Sequence, residues 1–169
     1  ALDHTDLLIL AFPLYVDSLP YLVIDALERI AAHRRAQESF AQTAFVAISN
    51  CGFPESQHNA TALAICERFA LETGFDWAGG LAIGAGGAIG GRPLTEAGGL
   101  LRHVIAALDE IAAALAQGNP APPDAVDKLG RPFLPKLAYM LMGDLGWLGE
   151  DRSYHKLTKL QAQPFQQHE

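Results

Sequence analysis

An excess of cationic residues is the first thing that this 169-residue sequence lacks. Lys and Arg number 12 against 19 Asp and Glu, which gives a formal net charge of -7. Nonspecific binding to nucleic acid or to an anionic membrane needs an excess of Lys and Arg, so the composition argues against both partners. Half of the residues are hydrophobic and 18% are charged, a balance typical of a globular domain with a sizeable core.

Long apolar runs and an array of cysteines are lacking as well. No apolar run approaches the roughly 20 residues that are needed to span a bilayer. The two cysteines, Cys51 and Cys66, fit a reduced cytoplasmic protein better than a disulfide framework. No signal peptide is recognisable, and the first residue, Ala1, is not a methionine, which indicates a processed or partial chain.

The chain is organised around residues 6–20. The apolar run 7–12 has the length and composition of a strand that is buried on both faces. A loop at 13–17 follows, and a helix is predicted to start at Ser18-Leu19-Pro20, with Ser18 or Asp17 as its N-cap. A buried strand followed at once by a helix is the first half of a βαβ unit.

Two more strand–helix units follow along the chain. Strands are predicted at 44–48 and 77–83, and each is followed by a helix with a clear apolar face. Gly74 is expected to end the first of these helices as a left-handed cap, and Gly118 the second. The order β-α-β-α-β-α predicts an α/β fold, an open parallel sheet with right-handed crossovers and helices on both faces.

The predicted α/β core covers residues 1–118. Residues 119–123 are proline-rich and are interpreted as a stiff linker. An apolar helical segment is expected within 133–148, and the tail from Asp151 is expected to be frayed or to depend on a partner. Residues 119–169 are therefore predicted to form a linker, a helical segment and a tail.

Three loops follow the predicted strands, and the carboxyl ends of parallel strands are where open sheets bind ligands. The candidate binding residues in these loops are Pro13, Leu14, Tyr15, Val16, Asp17, Asn50, Cys51, Gly52, Phe53, Gly84, Gly86 and Gly87. Tyr15 and Phe53 offer aromatic faces, and the glycines offer backbone N–H groups. Such a set suits a flat, conjugated, mostly neutral ligand. It holds no Ser-His-acid or paired-carboxylate arrangement, so no catalytic residue is predicted.

Several of these residues have an alternative interpretation. The glycines at 84–87 carry letters of a dinucleotide fingerprint, but its third glycine is misplaced, so a flexible turn is favoured over a phosphate cradle. Cys51 lies near a helix N-terminus, where a thiol is sometimes reactive, but a small buried cysteine is the favoured interpretation. Cys66 falls on a core face and is expected to pack there. The histidines show no metal-ligand spacing, so no metal site is predicted.

The run FPLYVDSLP at 12–20, followed one βα unit later by Asn50-Cys51-Gly52-Phe53, resembles the flavodoxin-like NAD(P)H-dependent FMN reductase family. In that family a P-x-Y loop and a glycine loop, after the third and fourth strands, flank the isoalloxazine ring of FMN. The resemblance covers roughly residues 6–118. It implies a flavodoxin-like fold with FMN as cofactor and NAD(P)H as substrate, and hydride transfer through the flavin to an acceptor that the sequence does not identify.

The fold of that family has two further βα units before this point, and its first strand ends in a loop that holds the FMN phosphate. Only five residues precede Asp6, so these N-terminal units are expected to be missing. The chain is then the C-terminal part of a longer protein or a shortened relative. Without the phosphate loop, we expect this chain alone to bind FMN weakly.

Two functions remain open at this point. The first is a flavin-dependent oxidoreductase, or the ring-binding part of one. The second is a noncatalytic interaction domain, a truncated flavodoxin-like scaffold that pairs with itself or with another chain. In either case the strand at 7–12 is expected to lie on an open sheet edge, covered by a second copy in a homodimer or by residues 133–148.

Overall fold

The computed structural model describes residues 5–37, 42–89, 93–96 and 98–153. Its sheet has three strands, which are β1 (Leu7–Pro13), β2 (Ala44–Asn50) and β3 (Asp76–Ile83). The strands lie in the order β1-β2-β3, and both neighbouring pairs are parallel. The predicted α/β class with an open parallel sheet is confirmed.

Helices connect and follow the strands. They are α1 (Tyr21–Arg35), α2 (Ala60–Thr73), the single turn α3 (Gly86–Ile89), α4 (Arg102–Ala116), α5 (Pro123–Leu129) and α6 (Lys136–Ser153). Short 3₁₀ turns lie at Ser56–Asn59, Leu94–Glu96 and Gly98–Leu101. None of the helices within the described ranges is long and apolar enough to cross a membrane.

β2 is the central strand, and helices cover it on both faces. Phe45 and Ala47 pack on one side against α1 and α2, where Cys66 is also buried. Val46 points to the other side and packs against α4 and α5. All these residues are fully buried, which explains why β2 is continuously apolar rather than alternating. The packing of Cys66 in the core is confirmed.

The division of the chain falls after Leu134 rather than after Gly118. The first compact unit is Ala1–Leu134 and the second is Pro135–Glu169. Residues 119–134 belong to the first unit because the Ala121 N–H donates to the Ala78 carbonyl oxygen at 2.7 Å. Helix α5, which the sequence did not predict, then buries its apolar residues against α4. The expected linker at 119–123 is therefore part of the α/β unit.

Helix α1 begins later than predicted and has no side-chain cap. Pro20 is its N-cap residue, and no side-chain hydrogen bond closes that end. The expected capping by Ser18 or Asp17 is wrong, because Ser18 pairs with Tyr15 in a two-residue hairpin instead. Gly74 does end α2 in the left-handed conformation, with φ of 71°, as predicted.

The two outer strands differ in how their free edges are covered. The outer edge of β3 receives the hydrogen bond from Ala121. Among the described residues, β1 pairs only with β2, and Ile9, next to the central residue of the strand, is 51% exposed. The cover expected for this edge, a second copy or residues 133–148, stays a prediction. The expected helical segment itself is present as α6, and most of the tail lies outside the described residues.

Candidate functional site

The carboxyl ends of the three strands lie in one row. Pro13 is the register partner of Asn50, and Asn50 is the partner of Ile83. The three candidate loops therefore leave the sheet side by side, as the parallel topology predicts. The half-buried Leu14 ties the first loop to the second, because its N–H donates to the Asn50 carbonyl oxygen at 2.7 Å.

The first loop is a two-residue hairpin with an unfavourable backbone. Tyr15 and Ser18 exchange two hydrogen bonds of 3.2 and 3.1 Å, and Val16 and Asp17 between them have φ of 48° and 56°. Positive φ at both central residues is type I′ geometry, which favours Asn-Gly and is rare for a β-branched residue. The turn holds Tyr15 63% exposed and Val16 98% exposed. Strain of this kind often marks a functional loop.

Two residues of the second loop face in opposite directions. Cys51 is only 2% exposed, and its N–H donates to the Ile83 carbonyl oxygen at 3.0 Å. The buried-cysteine interpretation is therefore confirmed, and Cys51 contributes loop structure rather than a side chain facing a ligand. Phe53 is 56% exposed, and its ring centroid lies 4.4 Å from that of His58. Tyr15 and Phe53 thus both lie exposed at this edge, as predicted.

The third loop is bonded to the second. The Ala85 N–H donates to the Phe53 carbonyl oxygen at 2.6 Å, and the Gly86 N–H donates to that of Cys51 at 2.9 Å. The sequence suggested that the glycines offer exposed N–H groups to a ligand. For Gly86 this is wrong, because its N–H is used within the site.

The glycines of this loop allow a close approach of two chain segments. A β-carbon on Gly84 would collide with the Pro54 carbonyl oxygen, and one on Gly86 would collide with the side chain of Asn50. Gly87, together with Gly52 of the second loop, is exposed. The third loop is therefore a turn that packs tightly against the second loop, whereas the sequence favoured a flexible turn over a phosphate cradle.

A buried polar cluster below the loops was missed by the sequence analysis. Asn59 accepts a hydrogen bond from the Ser49 hydroxyl at 2.8 Å and donates to the carbonyl oxygens of Ser56 and Ile83. The Ser56 hydroxyl in turn donates to the Gly130 carbonyl oxygen at 2.7 Å. Asn at a helix start is normally interpreted as a cap, so the sequence held no signal that this amide points inward.

The three described loops contain no cationic side chain. Residues 13–18, 50–55 and 84–89 contain the carboxylates of Asp17 and Glu55 and no Lys or Arg. Such an edge attracts neither a phosphate nor another anion. No group of three potential metal ligands occurs in the portion of the chain that the structure describes. The arrangement fits a neutral aromatic ring better than a charged group.

Comparisons with protein-family models, curated proteins and solved structures find no match to this chain. The resemblance to the FMN reductase family therefore rests on the loop residues of this chain, and membership in that family stays a proposal.

Proposed function

We propose that the carboxyl edge of this sheet binds the isoalloxazine ring of a flavin, FMN. In this proposal the chain is an NAD(P)H-dependent flavin oxidoreductase of the flavodoxin-like type, or the ring-binding part of one. One observation carries the proposal: the register row Pro13, Asn50, Ile83 brings the three loops to one edge, with Tyr15 and Phe53 exposed there.

The chain's own part in the reaction is to bind and orient the ring. Aromatic side chains favour offset stacking against a flat conjugated ligand and keep water from its face. The Phe53 ring contacts the His58 ring, and the Phe53 carbonyl oxygen accepts the Ala85 N–H. The first loop is bonded to β2 through Leu14, so backbone hydrogen bonds hold the chain at both aromatic residues. When bound, the flavin itself supplies the hydride chemistry between a nicotinamide and the final acceptor.

The FMN phosphate fits the described residues poorly. The described loops offer it no cationic side chain, and the exposed carboxylate of Asp17 repels it. Arg92, the cation nearest in sequence to the third loop, lies outside the described residues. The proposal therefore places the binding free energy in the ring. Lumiflavin, which is the ring system without the phosphate chain, is expected to bind at least as tightly as FMN.

The test is a pair of titrations with the purified chain. FMN and lumiflavin are titrated separately while flavin fluorescence and the visible absorbance bands are followed. We expect saturable quenching by the protein, with lumiflavin bound as tightly as FMN or more tightly. FMN should bind more tightly at higher salt, because salt screens the Asp17 carboxylate from the phosphate. Anaerobic addition of NADPH or NADH should then bleach the bound flavin faster than free flavin. No quenching with either flavin would contradict the proposal.

A second candidate function is a noncatalytic interaction domain. The edge of β1 favours it, because a seven-residue strand without charge is a template for pairing with another chain. A second copy fits this edge. Antiparallel pairing centred on Leu10 would set Ile9 beside the partner copy's Ala11, with no like charges opposed. In the first function a homodimer of this kind is also expected, so flavin binding, and not oligomeric state, separates the two.

We further propose a reducing compartment, the cytoplasm, as the location. Cys51 and Cys66 are both unpaired and buried, so the fold uses no disulfide between them. Cell fractionation with an antibody to the chain tests this. Recovery of the protein from an oxidising compartment would contradict it.

A further inference from the structure

The side chain of Asn59 lies fully buried directly below the candidate loops. Its amide nitrogen donates to the Ser56 carbonyl oxygen at 2.9 Å and to the Ile83 carbonyl oxygen at 3.3 Å. Its amide oxygen accepts from the Ser49 hydroxyl at 2.8 Å. One side chain thus joins the end of β2, the end of β3 and the turn that precedes α2.

The bonds of Asn59 continue into the loops that form the edge. The Ile83 carbonyl oxygen that Asn59 contacts also accepts the Cys51 N–H, at 3.0 Å. The Cys51 carbonyl oxygen accepts the Gly86 N–H in turn, at 2.9 Å. Removal of the Asn59 amide therefore acts on the second loop through the shared Ile83 acceptor, and on the third loop through Cys51, although Asn59 itself is closed off from solvent.

We infer that Asn59 is the positioning residue of the candidate site: it fixes the spacing between the second and third loops and hence the place of Phe53. The inference rests on the proposed function for what the site binds. Its mechanical part, that Asn59 holds the loops, does not depend on the ligand. A binding site that is present but loosely supported loses affinity without losing its contact residues.

The test compares two variants with a matched control. Asn59→Ala removes all three hydrogen bonds, and the milder Ser49→Ala removes only the bond between the hydroxyl and the amide. Thr43→Val is the control. Thr43 is also fully buried, and its hydroxyl donates to the Thr5 carbonyl oxygen at 2.7 Å at the opposite end of β2. Each variant removes a side-chain hydrogen bond of a fully buried residue. Only the bonds of Asn59 and Ser49 lie beside the loops.

Amide hydrogen exchange is the first readout. It is measured at a temperature well below the unfolding midpoint of every variant. In Asn59→Ala we expect the amides of Cys51, Ala85 and Gly86 to exchange at least about tenfold faster than in the parent chain, because a lost buried hydrogen bond changes a local opening equilibrium by that order. Ser49→Ala should show a smaller change at the same amides. Thr43→Val should leave their rates, relative to those of the β2 core, unchanged.

Lumiflavin affinity is the second readout. Asn59→Ala should weaken lumiflavin binding by about tenfold, and Thr43→Val should leave it within about twofold. If the loops lose protection but the parent chain binds no lumiflavin, the positioning of the loops by Asn59 holds and the proposed function fails. Equal exchange rates in Asn59→Ala and Thr43→Val, or unchanged lumiflavin affinity in a folded Asn59→Ala chain whose parent binds it, would overturn the inference.

Discussion

The guanidinium group of Arg34 lies over the ring of Phe75, with its central carbon 3.8 Å from the ring centroid. Its nitrogens donate to the carbonyl oxygens of Thr73 and Gly74 at 2.7 and 2.9 Å. These carbonyls end α2, so the positive charge meets the negative end of that helix. Arg34 lies in the last turn of α1, so its side chain ties α1 to α2.

Arg34→Ala is expected to reduce the free energy of unfolding by on the order of 3 kcal/mol, because two charge-assisted hydrogen bonds and the ring contact are lost. The free energy of unfolding of Arg34→Lys should fall between those of the parent chain and Arg34→Ala, because an ammonium group lacks the planar donor geometry of a guanidinium group. Arg35→Ala, at an exposed neighbouring position, is the control and should change stability by less than about 0.5 kcal/mol. Urea unfolding measures all three. Equal losses for Arg34→Ala and Arg35→Ala would contradict this role.

The hairpin at Val16 and Asp17 predicts a stabilising double substitution. Both residues have positive φ, which costs a non-glycine residue roughly 1–2 kcal/mol. Val16→Asn with Asp17→Gly supplies the pair that type I′ turns prefer and should raise the free energy of unfolding. Asp17→Ala keeps a β-carbon in the same conformation and is the control, expected to give no gain. A lower melting temperature for the double variant would show that the turn is not strained.

The exposed edge of β1 predicts self-association. We expect the chain to sediment as a dimer and Ile9→Lys to sediment as a monomer, because a lysine on an edge strand opposes pairing with another strand. Leu71→Lys places the same charge at an exposed position near the end of α2 and should remain a dimer. A monomeric parent chain, or dissociation by both substitutions alike, would rule out association through β1.

The thiol of Cys66 predicts a pH dependence of stability. Burial raises its pKa from the ordinary 9.0 to about 12. The unfolded chain therefore loses this proton at lower pH than the folded chain. The contribution of the protonated Cys66 thiol to the free energy of unfolding is complete below about pH 9 and is lost as the pH rises toward 12. Over this range the free energy of unfolding should fall more steeply for the parent chain than for Cys66→Ala. If urea titrations give the same fall in unfolding free energy with pH for both chains, the raised pKa of Cys66 is contradicted.

The sequence predicted the three strands because each is an apolar run that ends in turn residues, and it predicted their parallel arrangement because a helix follows each strand. Parallel topology then placed their carboxyl ends together without further information. α5 was missed because the proline-rich residues before it look like a linker, and only the packed structure shows Ala121 bonded to Ala78. The position of a boundary depends on such tertiary contacts more than on composition.

Within the site, the sequence located the exposed aromatic residues but not the residues that hold the loops. Tyr15 and Phe53 were located because each follows an apolar strand and lies beside turn residues. Asn59 carries no comparable signal, because an asparagine just before a helix looks the same in the sequence whether its amide is buried or caps the helix. The role of Gly86 also depends on a neighbour, Asn50, that lies far from it in sequence.

In the proposed function, Tyr15 and Phe53 hold a flavin ring at the carboxyl edge of the sheet. Lumiflavin titration by fluorescence quenching tests it most directly, with the parent chain, Tyr15→Ala, Phe53→Ala and the exposed control Leu71→Ala. Loss of one stacked ring costs about 0.5–1.5 kcal/mol, so each aromatic variant should bind roughly 2- to 12-fold more weakly. The control should match the parent. Absence of binding by the parent, or equal affinity in all four chains, would contradict flavin binding by these two aromatic residues.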